Sequence, residues 1–408
     1  MYTSTAEFAA LNKVRGFPVG ESSINSMILV DDIANVNSCT DDVIVSHQNF
    51  KDFRQVKRLP ANGSKCFILP INCKNPHLIP SLEVDGVPVK VVDVVTYVGA
   101  VFNKKGDNKD KIKDRVQKGK TCMIEALSLC CEITLGMYMI QSLVLTHNSM
   151  FLPTLLYGAQ VWTNMTKEDE KAISILQLQF LKRIVHAPAS ACNSITYFEL
   201  GVLPVSYEVD LLKLNFLHHI VSLEDSDPVR HRYEEQKKLV EEKNWANECT
   251  ILRTKYYLGE TDVEVSELAR EEWKEKVYQA VREIAVEELN REKNSLGKCS
   301  SYPDAEYLHV SQYLSHFQAT QSCLLFRVRS RIVDVKEFHH YKYPEDNRGC
   351  RACGQSIETL AHVLGECNTL HSPTCDVGDE YSEDLSVLEK VVVRTQEFMD
   401  KVEELEEL

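Results

Sequence analysis

The apolar pattern separates a first hundred residues of short alternating runs from a remainder of helical stripes. MILVDDIANV (27–36) sets two apolar runs around Asp31 and Asp32, and reads as strand, tight turn, strand. From Thr40 the period lengthens. Val43, Ile44, His47, Phe50 and Phe53 share one helical face, with Thr40 as the expected N-cap and Asp41 and Asp42 suited to the helix dipole. LPANGSKCFIL (59–69) predicts a turn at Asn62-Gly63 and a strand at 66–69. VDGVPVKVVDVVTYVG (84–99) predicts two short strands with a turn at Asp85-Gly86.

From about residue 109 the spacing becomes helical, through Ile112, Val116, Met123, Leu127 and Cys130. Further helices are expected over 167–185 and roughly 206–222. Residues 226–300 are charge-dense, and within them 266–293 forms an amphipathic stripe of Leu268, Trp273, Val277, Val281, Ile284 and Leu289. In 383–408, Leu385, Leu388, Val392, Thr395, Met399 and Val402 step by threes and fours, the spacing of a heptad. The fold class is therefore α+β, with the strands early and the helices late. No internal repeat is evident.

A chain of 408 residues suggests about two to three domains. No apolar run approaches the roughly 18 residues of a membrane span, and MYTSTAEFAALNKVRGFPVG lacks a signal-peptide core. The expectation is no membrane association and a nuclear or cytoplasmic, not secreted, location. Net charge is −14, and residues 376–408, with 3 basic and 12 acidic side chains, supply −9 of it. The rest is near neutral, which argues against wholesale nucleic-acid binding and leaves room for a local basic groove. The 14 cysteines mostly sit singly in apolar contexts, such as Cys66, Cys130 and Cys323, and read as buried reduced thiols.

Two patterns carry candidate chemistry. Adjacent carboxylates at a strand–strand turn, Asp31 and Asp32, can offer oxygens to Mg²⁺; taken alone they read more simply as a solvated turn. CRACGQSIETLAHVLGEC has the spacing Cys-x2-Cys-x8-His-x4-Cys through Cys350, Cys353, His362 and Cys367. A tight turn aims the first two sulfurs at one point, a short helix supplies the other two ligands, and the set suits structural Zn²⁺. The alternative is a chance cluster in a cysteine-rich chain, and His371 and Cys375 are lower-ranked substitute ligands.

The basic residues are more open. KKGDNKDKIKDRVQKGK (104–120) holds 8 basic and 3 acidic residues. Lys111, Lys113, Arg115 and Lys118 there either track a phosphate backbone or form a solvated helix face. Arg327, Arg329 and Arg331 alternate, so on a strand they share one face, for phosphate contact or for surface salt bridges. His218-His219 and His339-His340 lack ligand spacing. There is no phosphate-cradling glycine loop and no Ser/His/Asp pattern.

The order of these features resembles the back half of a non-LTR (LINE-type) retrotransposon reverse transcriptase. The matching residues are Leu29-Val30-Asp31-Asp32, Asn62-Gly63-Ser64-Lys65, Tyr97-Val98-Gly99, and FLPTLLYGAQVW with Pro153, Leu155, Leu156, Tyr157, Gly158 and Trp162. LQLQFLKRIVHAP, FELGVLPVSYEVDLLKLNFLHHI and the cysteine knuckle also look like that family. The resemblance covers roughly residues 17 to 370 and is weakest over 226–300. It implies a partial palm (1–108), a helical thumb (109–225), a charged helical linker (226–346), a zinc knuckle (347–370) and an acidic helical tail (371–408).

It further implies RNA-directed DNA polymerase chemistry by two-metal phosphoryl transfer, with Asp31 binding Mg²⁺, Asp32 assisting and Lys65 near the triphosphate leaving group. The departures are specific. The usual aromatic before the Asp pair is Leu29, and the family's third aspartate and fingers are expected upstream of Asp31 and are not found. The expected function is a reverse transcriptase-derived chain that is catalytically incomplete alone, with Mg²⁺ only if the palm is completed. It keeps weak binding to RNA or RNA–DNA duplex and a protein partner for the acidic tail. The alternative is a non-enzymatic interaction protein or a zinc-knuckle nucleic-acid binder.

Overall fold

The computed structural model describes residues 14, 16–19, 22–29, 32–133, 139–239, 243–297, 299–339, 341–343 and 348–407. Mixed helices and small sheets make an α+β fold. The chain groups into two compact units: residues 1–115, 157–169 and 213–273 form the first, and 116–156, 170–212 and 274–408 the second. Among the described residues no helix is long and apolar enough to cross a membrane.

In the first unit the described strands pair only two by two. Ser26–Leu29 and Asp32–Asn35 form an antiparallel hairpin with Leu29 opposite Asp32. Asp32 is exposed at the start of its strand; Asp31 lies outside the described residues. Helix Thr40–Lys57 follows. Its N-cap is Cys39 rather than Thr40, and Ser46 and Phe53 are buried while Ile44, expected inward, is exposed. The polar and apolar positions on this helix do not segregate cleanly, so the sequence stripe overstated its buried face.

Residues 83–103 hold more strands than the two expected. Glu83–Val84 and Val87–Pro88 pair around Asp85-Gly86. Lys90–Val91 runs parallel to Phe67–Ile68. Val94–Tyr97 and Ala100–Asn103 form a hairpin whose turn residues, Val98 and Gly99, both have positive φ, the backbone that a two-residue hairpin demands. Tyr157 donates to Val98 O at 2.9 Å.

The charge-dense segment beyond residue 226 is folded around aromatics. Asp227 and Asn244 cap helices Pro228–Lys238 and Trp245–Lys255. Trp245 donates to Gln160 O at 2.7 Å and meets Phe216 and Tyr233 edge-on. Asp262 gathers Lys237 at 2.6 Å, Arg253 at 3.1 Å and the Tyr233 hydroxyl at 2.9 Å.

In the second unit the core is helical. Phe151 and Phe180 meet edge to face, with His147 against both. Burial pulls the His147 imidazole down to about 4, so it is a neutral core side chain at physiological pH. Buried Gln177 donates to Leu203 O at 2.9 Å and accepts from Val205 N–H at 2.7 Å and Tyr197 Oη at 3.2 Å. This satisfied polar group ties Lys167–Ile184 to the start of Val205–Val221. Helix Leu385–Glu406 buries Leu388, Val391, Val392, Phe398 and Val402 in the same unit.

Candidate metal centre

A short β-turn excursion creates the first half of the centre. Gly349 bridges Ile357, Cys350 N–H donates to Ser356 O at 2.7 Å, and Gly354 N–H returns to Cys350 O at 2.8 Å. Gly354 has φ +68 with open space where a Cβ would stand, so the turn needs its left-handed backbone. The two sulfurs of Cys350 and Cys353 thereby lie on one side of the turn. A wide helical turn, His362–Glu366, supplies the second half, and Cys367 N–H closes it on His362 O at 2.8 Å.

The four ligand atoms of Cys350, Cys353, His362 and Cys367 all lie within 4.8 Å of one another. Cys350 Sγ is 4.0 Å from Cys367 Sγ, and Cys353 Sγ is 3.3 Å from His362 Nε2. A tetrahedral zinc with Zn–S near 2.3 Å would set sulfur–sulfur edges of about 3.8 Å. The donor set is three soft thiols and one imidazole, and Cys350 and Cys367 are buried. Such a group can hold a metal ion, and its chemistry is compatible with zinc.

The thiols differ in acidity. Burial pushes the Cys350 thiol up to about 12. For Cys353 burial acts the same way, but hydrogen bonds from Gln355 N–H, His362, Cys350 and Cys367 outweigh it and bring the thiol down to about 7. Cys353 is thus the ligand already near ionisation, which metal binding requires of all three. On the far side of the imidazole, His362 Nδ1 lies 3.6 Å from Glu366 Oε2. That spacing suits a carboxylate that orients a ligating histidine once the ring shifts by a few tenths of an ångström.

Residues other than the four ligands hold it in place. Glu358, fully buried, accepts from Arg351 side-chain and main-chain N–H groups and from Lys336 N–H. Arg351, between the first two cysteines, also reaches Asp334 at 3.1 Å. His371 and Cys375, the substitute ligands, stand elsewhere: His371 N–H donates to Glu397 at 2.8 Å, and Cys375 N–H donates to Leu364 O at 3.0 Å. Sequence reasoning missed Arg351, Glu358, Glu366, Arg394 and Glu397. Only Arg394, one basic residue within VVVRTQEF, carried a signal, as a charge on an apolar stripe.

The other candidate residues are not gathered in this way. Among the described residues, Asp32 joins no group of three or more potential ligands. Lys65 ends the short turn Gly63–Lys65 and is exposed. Lys113 and Lys118 are exposed on helix Lys109–Ile133, whereas Lys111 is half-buried and donates to Asn108 Oδ1 at 3.1 Å. Arg115 is buried, ion-paired to Asp114, bonded to Gly99 O and 5.3 Å from the Tyr157 ring centre.

The arginine triplet is not on a strand. Arg327 and Arg329 end helix Ala319–Arg329, which a capping box at Gln318 and Gln321 initiates, and Arg331 follows it at φ 56. The alternating arginines mimicked a strand, but Cys323, Leu325, Phe326 and Val328 are all buried at helical spacing. Arg327 is exposed and donates to His186 O at 3.0 Å. Arg329 pairs with fully buried Glu199 at 2.5 Å inside a ring of Tyr302, Tyr313 and Tyr381. Arg331 pairs with fully buried Glu380 at 2.8 Å. The two arginines are interior counter-charges, and no common phosphate-facing row exists.

No family model and no curated protein matches the chain.

Proposed function

We propose that the chain is a reverse transcriptase-derived module of LINE-type origin, in which a structural Zn²⁺ orders the knuckle and exposed cations give weak nucleic-acid binding. The observation that carries the metal site is the convergence of Cys350, Cys353, His362 and Cys367 within 4.8 Å, and the origin rests on the sequence resemblance. A segment as small as the knuckle has little apolar core of its own, so a metal supplies the folding energy it lacks. Four protein ligands leave no open position, which assigns the ion a structural and not a catalytic role. The test is elemental analysis of the purified chain. One zinc per chain is expected, lost in Cys353→Ser; zinc-free wild-type protein refutes the site.

Polymerase activity is not expected of residues 1–408 tested alone. By resemblance, Asp31 and Asp32 are two of three carboxylates, and no aspartate precedes them in residues 1–30. If a third were supplied, the resemblance implies that Asp31 would bind Mg²⁺, Asp32 would assist and Lys65 would lie near the leaving group. Primer extension by the isolated 408-residue chain with Mg²⁺ or Mn²⁺ is expected to be nil. Incorporation abolished by Asp31→Ala would overturn this.

Nucleic-acid contact rests on Lys113, Lys118 and Arg327, the exposed members of the basic set. Binding to RNA or RNA–DNA duplex is expected to be weak, sequence-independent and steeply salt-dependent. A second reading, a non-enzymatic interaction protein, gains from the interior roles of Arg115, Arg329 and Arg331. Filter binding at low salt separates the two: no retention of RNA or duplex leaves only the interaction protein.

A further inference from the structure

The C-terminal helix, Leu385–Glu406, ends the most acidic stretch of the chain, yet the charged residue it buries is a cation. Arg394 is 1% exposed. A guanidinium is always charged, and burying one is costly unless its donors are met. Here Nε donates to Val363 O at 2.9 Å, one terminal nitrogen to Ser372 O at 2.6 Å and the other to Cys367 O at 3.0 Å. All three acceptors are main-chain carbonyls of the segment that follows His362.

Those carbonyls include groups that a helix end leaves without partners. The turn His362–Glu366 stops at Cys367, so the carbonyl of Val363 needs an outside donor, while that of Cys367 accepts from Leu370 N–H at 3.4 Å as well as from Arg394. The three oxygens meet one planar fork only when residues 363–372 take this single path. Holding the Cys367 carbonyl restricts the backbone from which its side chain projects, and its sulfur lies 4.0 Å from that of Cys350. One turn further along the helix, Glu397 accepts from His371 N–H at 2.8 Å and Ser372 N–H at 2.9 Å. Near its end, Glu406 stands 3.5 Å from Arg351, between the first two cysteines.

We infer that the C-terminal helix is part of the metal site: Arg394 is a positioning residue for the Cys367 limb, and metal binding and helix docking are one linked equilibrium. This rests on the metal-centre reading and extends it beyond the cysteine motif. Linkage is reciprocal: whatever factor helix docking adds to metal affinity, metal adds to helix docking. The undocked helix leaves Cys367 free to swing away from its partner sulfur.

The experiment uses the full chain, with zinc affinity measured by competition against a chromophoric chelator, and hydrogen exchange measured with and without zinc. Arg394→Met keeps the length of the side chain and removes the fork; its zinc affinity is expected to fall by about 10- to 100-fold, the range for groups that orient ligands. Arg394→Lys, which keeps the charge but not the three-way geometry, should fall between. Cobalt(II) substituted for zinc should show altered ligand-field bands in Arg394→Met and near-normal ones in Arg394→Lys, which a general loss of stability would not produce. Should Arg394→Met fail to fold, exchange of the wild-type chain decides: amides of 388–402 are expected to slow on adding zinc. A wild-type chain that binds zinc with no change in those amides, or an Arg394→Met chain of wild-type affinity, overturns the linkage alone. A wild-type chain that binds no zinc overturns the metal site together with it.

Discussion

Single residues decide which charges are available to a partner and which belong to the interior. Glu199 is fully buried and its counter-charge is Arg329. Removing one member of a buried pair strands the other, so Arg329→Met is expected to destabilise its unit by about 3–5 kcal/mol, read from denaturant unfolding. A loss below about 1 kcal/mol would mark the pair as a surface bridge. Glu397 has a different signature. The N–H of His371 first, then the hydroxyl and N–H of Ser372, hold its carboxyl down to about 2 against an ordinary 4.5. A lowered folded-state value means that its stabilising share is complete above pH 4.5 and is lost as pH falls through that range toward 2. In metal-free protein, the melting-temperature gap between wild type and Glu397→Gln should therefore narrow steeply as pH falls from about 6 to about 2.5, and close only below the folded-state value of about 2. A gap that stays constant would show that the carboxylate bonds do not contribute.

At the scale of elements, the long helices follow from periodicity, and their ends depend on local chemistry. The reading of 167–185 and of 206–222 meets Lys167–Ile184 and Val205–Val221, because each carries an apolar stripe that one packed interior can bury. The short strands were less legible. Two-residue strands such as Phe67–Ile68 and Lys90–Val91 are too brief for alternation to register, and their parallel pairing joins segments more than twenty residues apart. One turn carries a local conflict. Val98 has φ 48 and Gly99 φ 73, and a β-branched side chain in that region costs about 1–2 kcal/mol. Val98→Asn, which gives the Asn-Gly pair that such turns favour, is expected to slow exchange of the hairpin amides by about fivefold to tenfold, or about 1 kcal/mol. Faster exchange would show that the valine side chain contributes more in contacts than its backbone costs.

For the whole molecule, the distribution of burial separates the early strands from the later helices. Among the described residues before 109, Val14, Phe53, Val84 and Val101 are buried, while Leu29, Val56, Phe67, Leu78 and Phe102 are among many exposed apolar side chains. Regions with few buried apolar contacts open first. Amide exchange over 22–103 should be faster than over 167–221, and equal rates would contradict this. The charge distribution leads to a correction of the simplest test of nucleic-acid binding. Deleting residues 376–408 removes most of the net negative charge, but also Glu380, Arg394 and the buried face of the last helix. A truncated chain would report unfolding. Glu389, Glu403 and Glu407 are exposed; changing all three to Gln should strengthen RNA retention at low salt and leave the melting temperature within about 1 °C, as surface changes of small energy do. Unchanged retention would detach the acidic face from nucleic-acid binding.

The sequence by itself determined the α+β class, the long helices and the metal motif. Each is written in short-range spacing: periods of three to four residues, or a Cys-x2-Cys turn with a histidine nine residues after its second cysteine. It could not assign the arginines or the last helix. Whether Arg329 meets a phosphate or Glu199, 130 residues away, is settled by which surfaces come together in the folded chain. The same holds for Arg394, whose guanidinium finds carbonyls 22 to 31 residues upstream. A charged side chain has no period of its own; only the tertiary structure decides whether water or a buried partner satisfies it.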